Sequence, residues 1–184
     1  ITDGTEDARL IIEKAVNGST TEIMRSVGSE TVFNDGSIDL DFRVESNGNA
    51  NMLFVDGADN HVNIGTSSDL GGVLNVDGQT FIQTADNSNT LTLISTDADA
   101  SAGPRLSFQR QSSSPADSDI LGQIYFTGKD SAGNNTDYAT IKIATGDVTD
   151  GTEDGQIEFD VMTAGTAREY LRLASGSEPS VVIN

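Results

Sequence analysis

An all-β fold is what this sequence predicts, and three observations predict it. Apolar and polar residues alternate with period 2 in stretch after stretch, while the 3.6-residue period of an amphipathic helix is hard to find. Asp-Gly pairs at 35–36, 56–57, 77–78 and 150–151 and Asn-Gly pairs at 17–18 and 47–48 mark tight turns. Part of the chain also returns. Thr2-Asp3-Gly4-Thr5-Glu6-Asp7 recurs letter for letter as Thr149-Asp150-Gly151-Thr152-Glu153-Asp154.

The likeness extends past the hexapeptide. At the same spacing Leu10 and Ile12 meet Ile157 and Phe159, and Gly18 meets Gly165. Glu22, Met24 and Arg25 meet Glu169, Leu171 and Arg172. After a short insertion in the second copy, Phe33-Asn34 aligns with Ile183-Asn184. Residue 1 is Ile and stands where the second copy has Val148. The expectation is a segment of a longer array with a period of roughly 150 residues, and arrays of long repeats build extended objects.

Taken in order, residues 1–34 read as the C-terminal part of one repeat unit. Glu22-Ile23-Met24-Arg25-Ser26 has some helical character, but its partner Glu169-Tyr170-Leu171-Arg172-Leu173 reads as a strand, so both are assigned as strand. Residues 35–79 carry very short strands with a turn every few residues: Asp41-Phe42-Arg43-Val44-Glu45-Ser46, Asn51-Met52-Leu53-Phe54-Val55-Asp56, His61-Val62-Asn63-Ile64-Gly65-Thr66 and Val73-Leu74-Asn75-Val76. Such strands do not make a broad sheet within one chain. Three chains wound about one axis would each supply a strand per layer, with Gly65 allowing close backbone approach there.

Residues 80–184 form a β-meander module whose end, 148–184, repeats 1–34. Its strand candidates are Thr90-Leu91-Thr92-Leu93-Ile94-Ser95, Arg105-Leu106-Ser107-Phe108-Gln109-Arg110, Tyr138-Ala139-Thr140-Ile141-Lys142-Ile143 and Gln156-Ile157-Glu158-Phe159-Asp160-Val161. Ile64 and Phe159 are assigned to buried faces. The polar loops near Ser112 and Gly133 read as exposed and mobile.

Composition narrows the partners. Leu, Ile, Val and Phe make up about 24% of the chain, just above the level below which a charged chain stays disordered. The chain should fold, yet a core this thin favours pooling of apolar faces between identical chains. The formal net charge is −19, with only ten Lys and Arg, which argues against a nucleic-acid partner and against an anionic membrane surface. Asp outnumbers Glu by twenty to nine, so much of the acidity marks turns. There is no Cys, and no apolar run approaches the ~20 residues of a bilayer span.

Asp41-Phe42-Arg43-Val44-Glu45-Ser46, Met52-Leu53-Phe54-Val55-Asp56 and Asn63-Ile64-Gly65-Thr66 together resemble a module of tail-fibre and other virion structural proteins of tailed bacteriophages, particularly marine ones. The stretch from Leu91 to Asp97 with Gly103-Pro104, and the Asp150 to Asp154 turn with the strand after it, resemble other pieces of such proteins. The resemblance implies a homotrimeric fibre rich in β-helix or β-prism structure, located on the virion and serving host attachment. The expected fold is therefore an elongated homotrimeric fibre with interwound β-helix/β-prism layers and short antiparallel β-meanders. Its partners would be itself, other virion proteins and host surface glycan.

No chemistry stands out against that background. Asp-Gly-Thr-Glu-Asp supplies carboxylates for Ca²⁺ but lacks EF-hand spacing, so a turn is the better reading. The Asp39/Asp41 and Asp97/Asp99 pairs read as turn carboxylates. His61, the only His, reads as an exposed turn residue without a partner, which excludes a zinc site or a catalytic triad built on it. Arg25 and Arg172, each three residues after a Glu, suit either an inter-chain ion pair that sets register or plain exposure, a structural role over ligand binding. Tyr125, Tyr138 and Tyr170 are spaced too widely to form a sugar platform. No catalytic, cofactor or metal residue is assigned, and the chain is read as a non-enzyme. The alternatives are a glycan-binding module on the loops near Ser112 and Gly133, and a polysaccharide depolymerase built on a carboxylate pair.

Overall fold

The computed structural model describes residues 9–101, 103–175 and 180–184, and all its regular structure is β-strand. The chain divides into two units, Ile1–Thr92 and Leu93–Asn184. In the first, β1 (Arg9–Val16), β2 (Ser19–Val27) and β3 (Glu30–Phe33) form an antiparallel meander. Next, β4 (Phe42–Val44), β5 (Leu53–Asp56), β6 (His61–Ile64) and β7 (Leu74–Val76) form a four-stranded sheet in chain order. Only its β6–β7 pair is parallel. In the second unit, β8 (Ile120–Lys129), β9 (Asn135–Asp147), β10 (Asp154–Thr163), β11 (Thr166–Ala174) and β12 (Ser180–Ile183) form one five-stranded antiparallel meander.

The sequence repeat is a structural repeat down to its irregularities. β1-β2-β3 and β10-β11-β12 share topology, and Ile12 faces Met24 as Phe159 faces Leu171. Both ladders shift register immediately after that pair, between Ile12 and Glu13 and between Phe159 and Asp160. Such a bulge leaves one residue unpaired and bends the strand. On the third strand, Phe33 meets Met24 as Ile183 meets Leu171. Beyond it, the amide of Asn34 donates to the Ile23 carbonyl at 3.0 Å, and that of Asn184 to the Tyr170 carbonyl at 3.2 Å. The expected alignment of Phe33-Asn34 with Ile183-Asn184 is thus a shared hydrogen-bond register. The repeated hexapeptide's first copy, 2–7, lies outside the described residues.

The hairpin turns match as well. Asn17 and Gly18 have φ of 51° and 83°, and Ala164 and Gly165 have 49° and 78°. Two successive left-handed residues are what a two-residue type I′ turn requires. Asn tolerates that region through its short polar side chain, whereas Ala does not.

Two expectations need correction. The short strands of 35–79 pair with one another inside a single chain. An eight-residue loop, 45–52, returns the chain from β4 to β5, a four-residue turn, 57–60, returns it from β5 to β6, and the Gly65–Val73 connection brings β7 parallel to β6. Gly65 does permit close backbone approach, but the neighbour is this chain's own Asp77, whose carbonyl oxygen would lie 2.7 Å from an added Cβ. Conversely, 90–95 and 105–110 alternate like strands but enter no ladder among the described residues. Alternation reports which residues suit a half-buried face and cannot say where a partner edge comes from.

Burial departs from a filled core. On the β4–β7 sheet, register puts Phe42, Val44, Leu53, Val55, Val62, Ile64, Leu74 and Val76 on one face, and none is buried. The opposite face holds Phe54 and the stacked pair Asn63 and Asn75, all buried. Asn75 donates to the Asn63 side-chain oxygen at 2.7 Å, which satisfies polar groups that would otherwise be costly there. Across the five-stranded sheet, Ile124, Ile141, Phe159, Leu171 and Ile183 form one continuous apolar row. Ile12, Met24 and Phe33 are its counterpart in the first meander. Ile64 and Phe159, assigned to buried faces, are only half-buried.

The turn comparison yields a direct expectation. Ala164→Asn, which copies Asn17, should stabilise the second unit by up to about 1 kcal/mol by relieving a left-handed alanine. Gly165→Val should destabilise it by about 1 kcal/mol or more through backbone strain, since no neighbour crowds that position. Urea unfolding of the two variants beside the parent measures both.

Candidate functional site

The most organised polar feature lies on the face opposite the apolar row of the five-stranded sheet. Strand register sets Lys142 on β9, Glu158 on β10 and Arg172 on β11 directly side by side. Glu158 is 5% exposed, so its charge needs partners. Lys142 meets it on one side, and the Arg172 guanidinium reaches it at 3.7 Å on the other. Arg172 also donates from Nε to Glu169 at 3.1 Å. The hydrogen bond to Glu158 holds the Lys142 pKa above its ordinary value, and Glu169 does the same for Arg172.

The first meander has the corresponding arginine but a different set of acids. Ile11 stands where the second copy has Glu158, and it faces Arg25 across the ladder. Arg25 instead approaches Glu22 at 4.0 Å, Glu30 at 3.4 Å and Asp35 at 2.7 Å. The expected inter-chain role of Arg25 and Arg172 is therefore met by partners within the chain. Both arginines clamp neighbouring strands or the turn beside them, a structural task.

Asp41, Asp97 and Asp99 of the candidate carboxylates act as caps, as does the neighbouring Asp147. Asp147 accepts from the Thr149 amide at 2.7 Å and from the Thr152 hydroxyl at 3.3 Å, bonds that hold its pKa below the ordinary value. Asp99 accepts from the Ser101 amide at 2.6 Å, Asp97 from the Asp99 amide at 3.2 Å, and Asp41 from the Gly57 amide at 3.1 Å. Asp39, Asp150 and Glu153 lie exposed. Among the described residues no three His, Asp or Glu are grouped to hold a metal ion.

His61 corrects the sequence reading. It opens β6 instead of sitting in a turn, its side chain is largely covered, and Nδ1 lies 3.2 Å from Asp69. It forms part of the wall of a groove of about 650 Å³ with Phe33, Ile38, Phe42, Val55 and Val62. Asp69 is eight residues beyond it along the chain, a separation that strand periodicity does not flag.

The tyrosines remain single. Tyr125 donates to Gln123 at 2.7 Å, Tyr170 shares a 2.8 Å bond with Thr163, and Tyr138 lies over Gly128. The expected mobile loop around Gly133 is closed by Asp130, which accepts from the amides of Ala132 and Asn134 at 2.8 and 2.9 Å. Beside it a groove of about 670 Å³ is lined by Asn135, Asp137, Tyr138 and Met162. The Ser112 loop keeps an internal 3.1 Å bond to the Ser114 amide and lines none of these grooves.

Compared with family models, with curated proteins and with solved structures, the chain matches none.

The ladder makes two expectations. Lys142→Met should cost about 1–3 kcal/mol by removing the ammonium beside the buried Glu158 carboxylate, which keeps only the neutral Gln156 amide at 3.0 Å and the more distant Arg172 guanidinium at 3.7 Å. Adding Glu158→Gln should recover part of that loss, and chemical unfolding of the two single variants and the double variant measures the coupling. Because folding raises the Lys142 pKa, its contribution is complete below the unfolded lysine value of about 10.4. It disappears as pH climbs through the higher folded value, so unfolding midpoints for Lys142→Met and parent should converge in strong alkali.

Proposed function

We propose that this chain is a structural segment of a bacteriophage fibre that assembles as a homotrimer into a shaft supporting host attachment. The observation that carries the reading is an apolar face on each sheet that the chain itself does not bury. A compact 19.3 kDa monomer would expose about 8,500 Å², and two separate compact proteins of half that mass about 10,200 Å² in total. This chain exposes 14,080 Å². Among its described residues the buried apolar side chains are Phe54 and Ala144. Self-association is the ordinary remedy for such a surface. The duplicated meander adds a second support, since a unit reused with its bulge and turn intact suits an array.

In this reading the protein's task is mechanical. Antiparallel ladders resist extension, the Arg25 and Arg172 clamps hold register, and the −19 charge keeps separate particles apart. The location would be the virion surface, with other virion proteins as further partners. A glycan-binding module is the second reading, favoured by the groove that joins Tyr138 to the polar side chains of Asn135 and Asp137. Tyr138→Ala that removes a glycan-array signal while leaving assembly unchanged would favour it.

Light scattering of the purified chain tests the main reading. The expected mass is about 58 kDa, three copies of 19.3 kDa, and Phe159→Asp should reduce it by charging the apolar row. A folded 19.3 kDa monomer would defeat the trimeric shaft.

A further inference from the structure

Residues 91–98 and 105–112 run without turn or bend, yet among the described residues no strand of their own chain pairs with them. Backbone hydrogen bonds to other main-chain groups are likewise absent from 79–115 among the described residues. Their side chains remain strand-like. Leu91, Leu106 and Phe108 alternate with polar neighbours and Leu93 is followed by Ile94; Leu91, Ile94 and Leu106 are 61%, 78% and 62% exposed, while Phe108 lies over Gly122 of β8. A solvated linker has no use for this pattern, whereas a strand lacking its neighbour requires it.

The charges differ between the two segments. In a chain of net charge −19, 105–110 carries Arg105 and Arg110 and no acid. The other segment, 90–95, is uncharged and runs directly into Asp97 and Asp99. Arg110 is already held by Asp119 at 2.8 Å, while Arg105 makes no ion pair with a described residue. Aligning the basic segment of one copy beside 91–99 of another brings Arg105 toward carboxylates and completes two open strand edges. The same two segments in one chain make no such ladder.

We propose that 90–95 and 105–110 are exchange strands: 105–110 of one copy pairs with 90–95 of the next copy of this chain. The contact is heterologous, and three repetitions close it into a ring. This inference rests on the trimeric reading and adds to it the place where main-chain bonds cross between copies. A second copy suits the site better than an unrelated protein because both edges, basic and acid-flanked, are supplied by the same chain. The exposed area also exceeds that of two compact proteins by about 3,900 Å², more than a standard interface needs.

Hydrogen exchange read by mass spectrometry on the full chain, beside its native mass, tests the pairing. In assembled protein, peptides covering 91–95 and 106–110 should exchange at least about 100-fold more slowly than an open chain, as paired strands do. Thr92→Pro provides the second arm. Proline suits an extended residue and removes one amide, so it should leave the β8–β12 amides protected while converting trimer to monomer. A trimer whose 91–95 and 106–110 amides exchange at open-chain rates overturns the exchange strands and leaves the trimeric shaft standing. So does a Thr92→Pro chain that assembles like the parent. A monomer with both segments unprotected overturns both proposals, and a monomer with them protected shows pairing within the chain and overturns them equally.

Discussion

Main-chain pairing between antiparallel neighbours is the interaction on which everything else here depends. A β-strand sends alternate side chains to opposite faces, so a sheet can collect its apolar residues on one side only if register holds across every strand. That condition is met from Ile124 through Ile141, Phe159 and Leu171 to Ile183, and again across the eight apolar positions of β4–β7. One slipped residue would turn each row toward the charged face. The bulges after Ile12 and Phe159 therefore matter as fixed points, since they change register at the same place in both copies.

Such sheets are half of a structure. Layered folds gain stability when one apolar face covers another. Here each sheet keeps an apolar face only half-buried, while the opposite faces contain the buried polar groups, Asn63 with Asn75, and Glu158 with the half-buried Lys142 as its partner. These polar contacts set strand order and register within one chain. In the proposed fibre the apolar rows would serve association, which would make folding and assembly parts of one process.

The acidity follows the same division. Asp41, Asp97, Asp99, Asp130 and Asp147 point their carboxylates at nearby amides and close turns. Acid side chains are absent from the apolar rows, where like charge would keep copies apart. A net charge of −19 is thus compatible with self-association, because it is concentrated where the chain turns.

Much of the local structure was legible in the residues. Period-2 alternation placed β5, β6, β9 and β10, Asn17-Gly18 announced its hairpin, and the repeat located β11 against β2 with Arg172 against Arg25. These features depend on neighbours along the chain or on a copy of themselves. The His61–Asp69 contact, the four-stranded pairing of 35–79 and the encirclement of Glu158 were not legible, because each joins residues whose sequence separation carries no periodic signal. Alternation at 90–95 and 105–110 likewise described strand-like surfaces without supplying an edge. The sequence by itself determined the all-β class, the turns and the repeated meander, through local backbone preference and side-chain period. Only the tertiary structure decided which strands share a ladder and which apolar faces remain uncovered, because hydrogen-bond pairing and burial are properties of elements brought together in space.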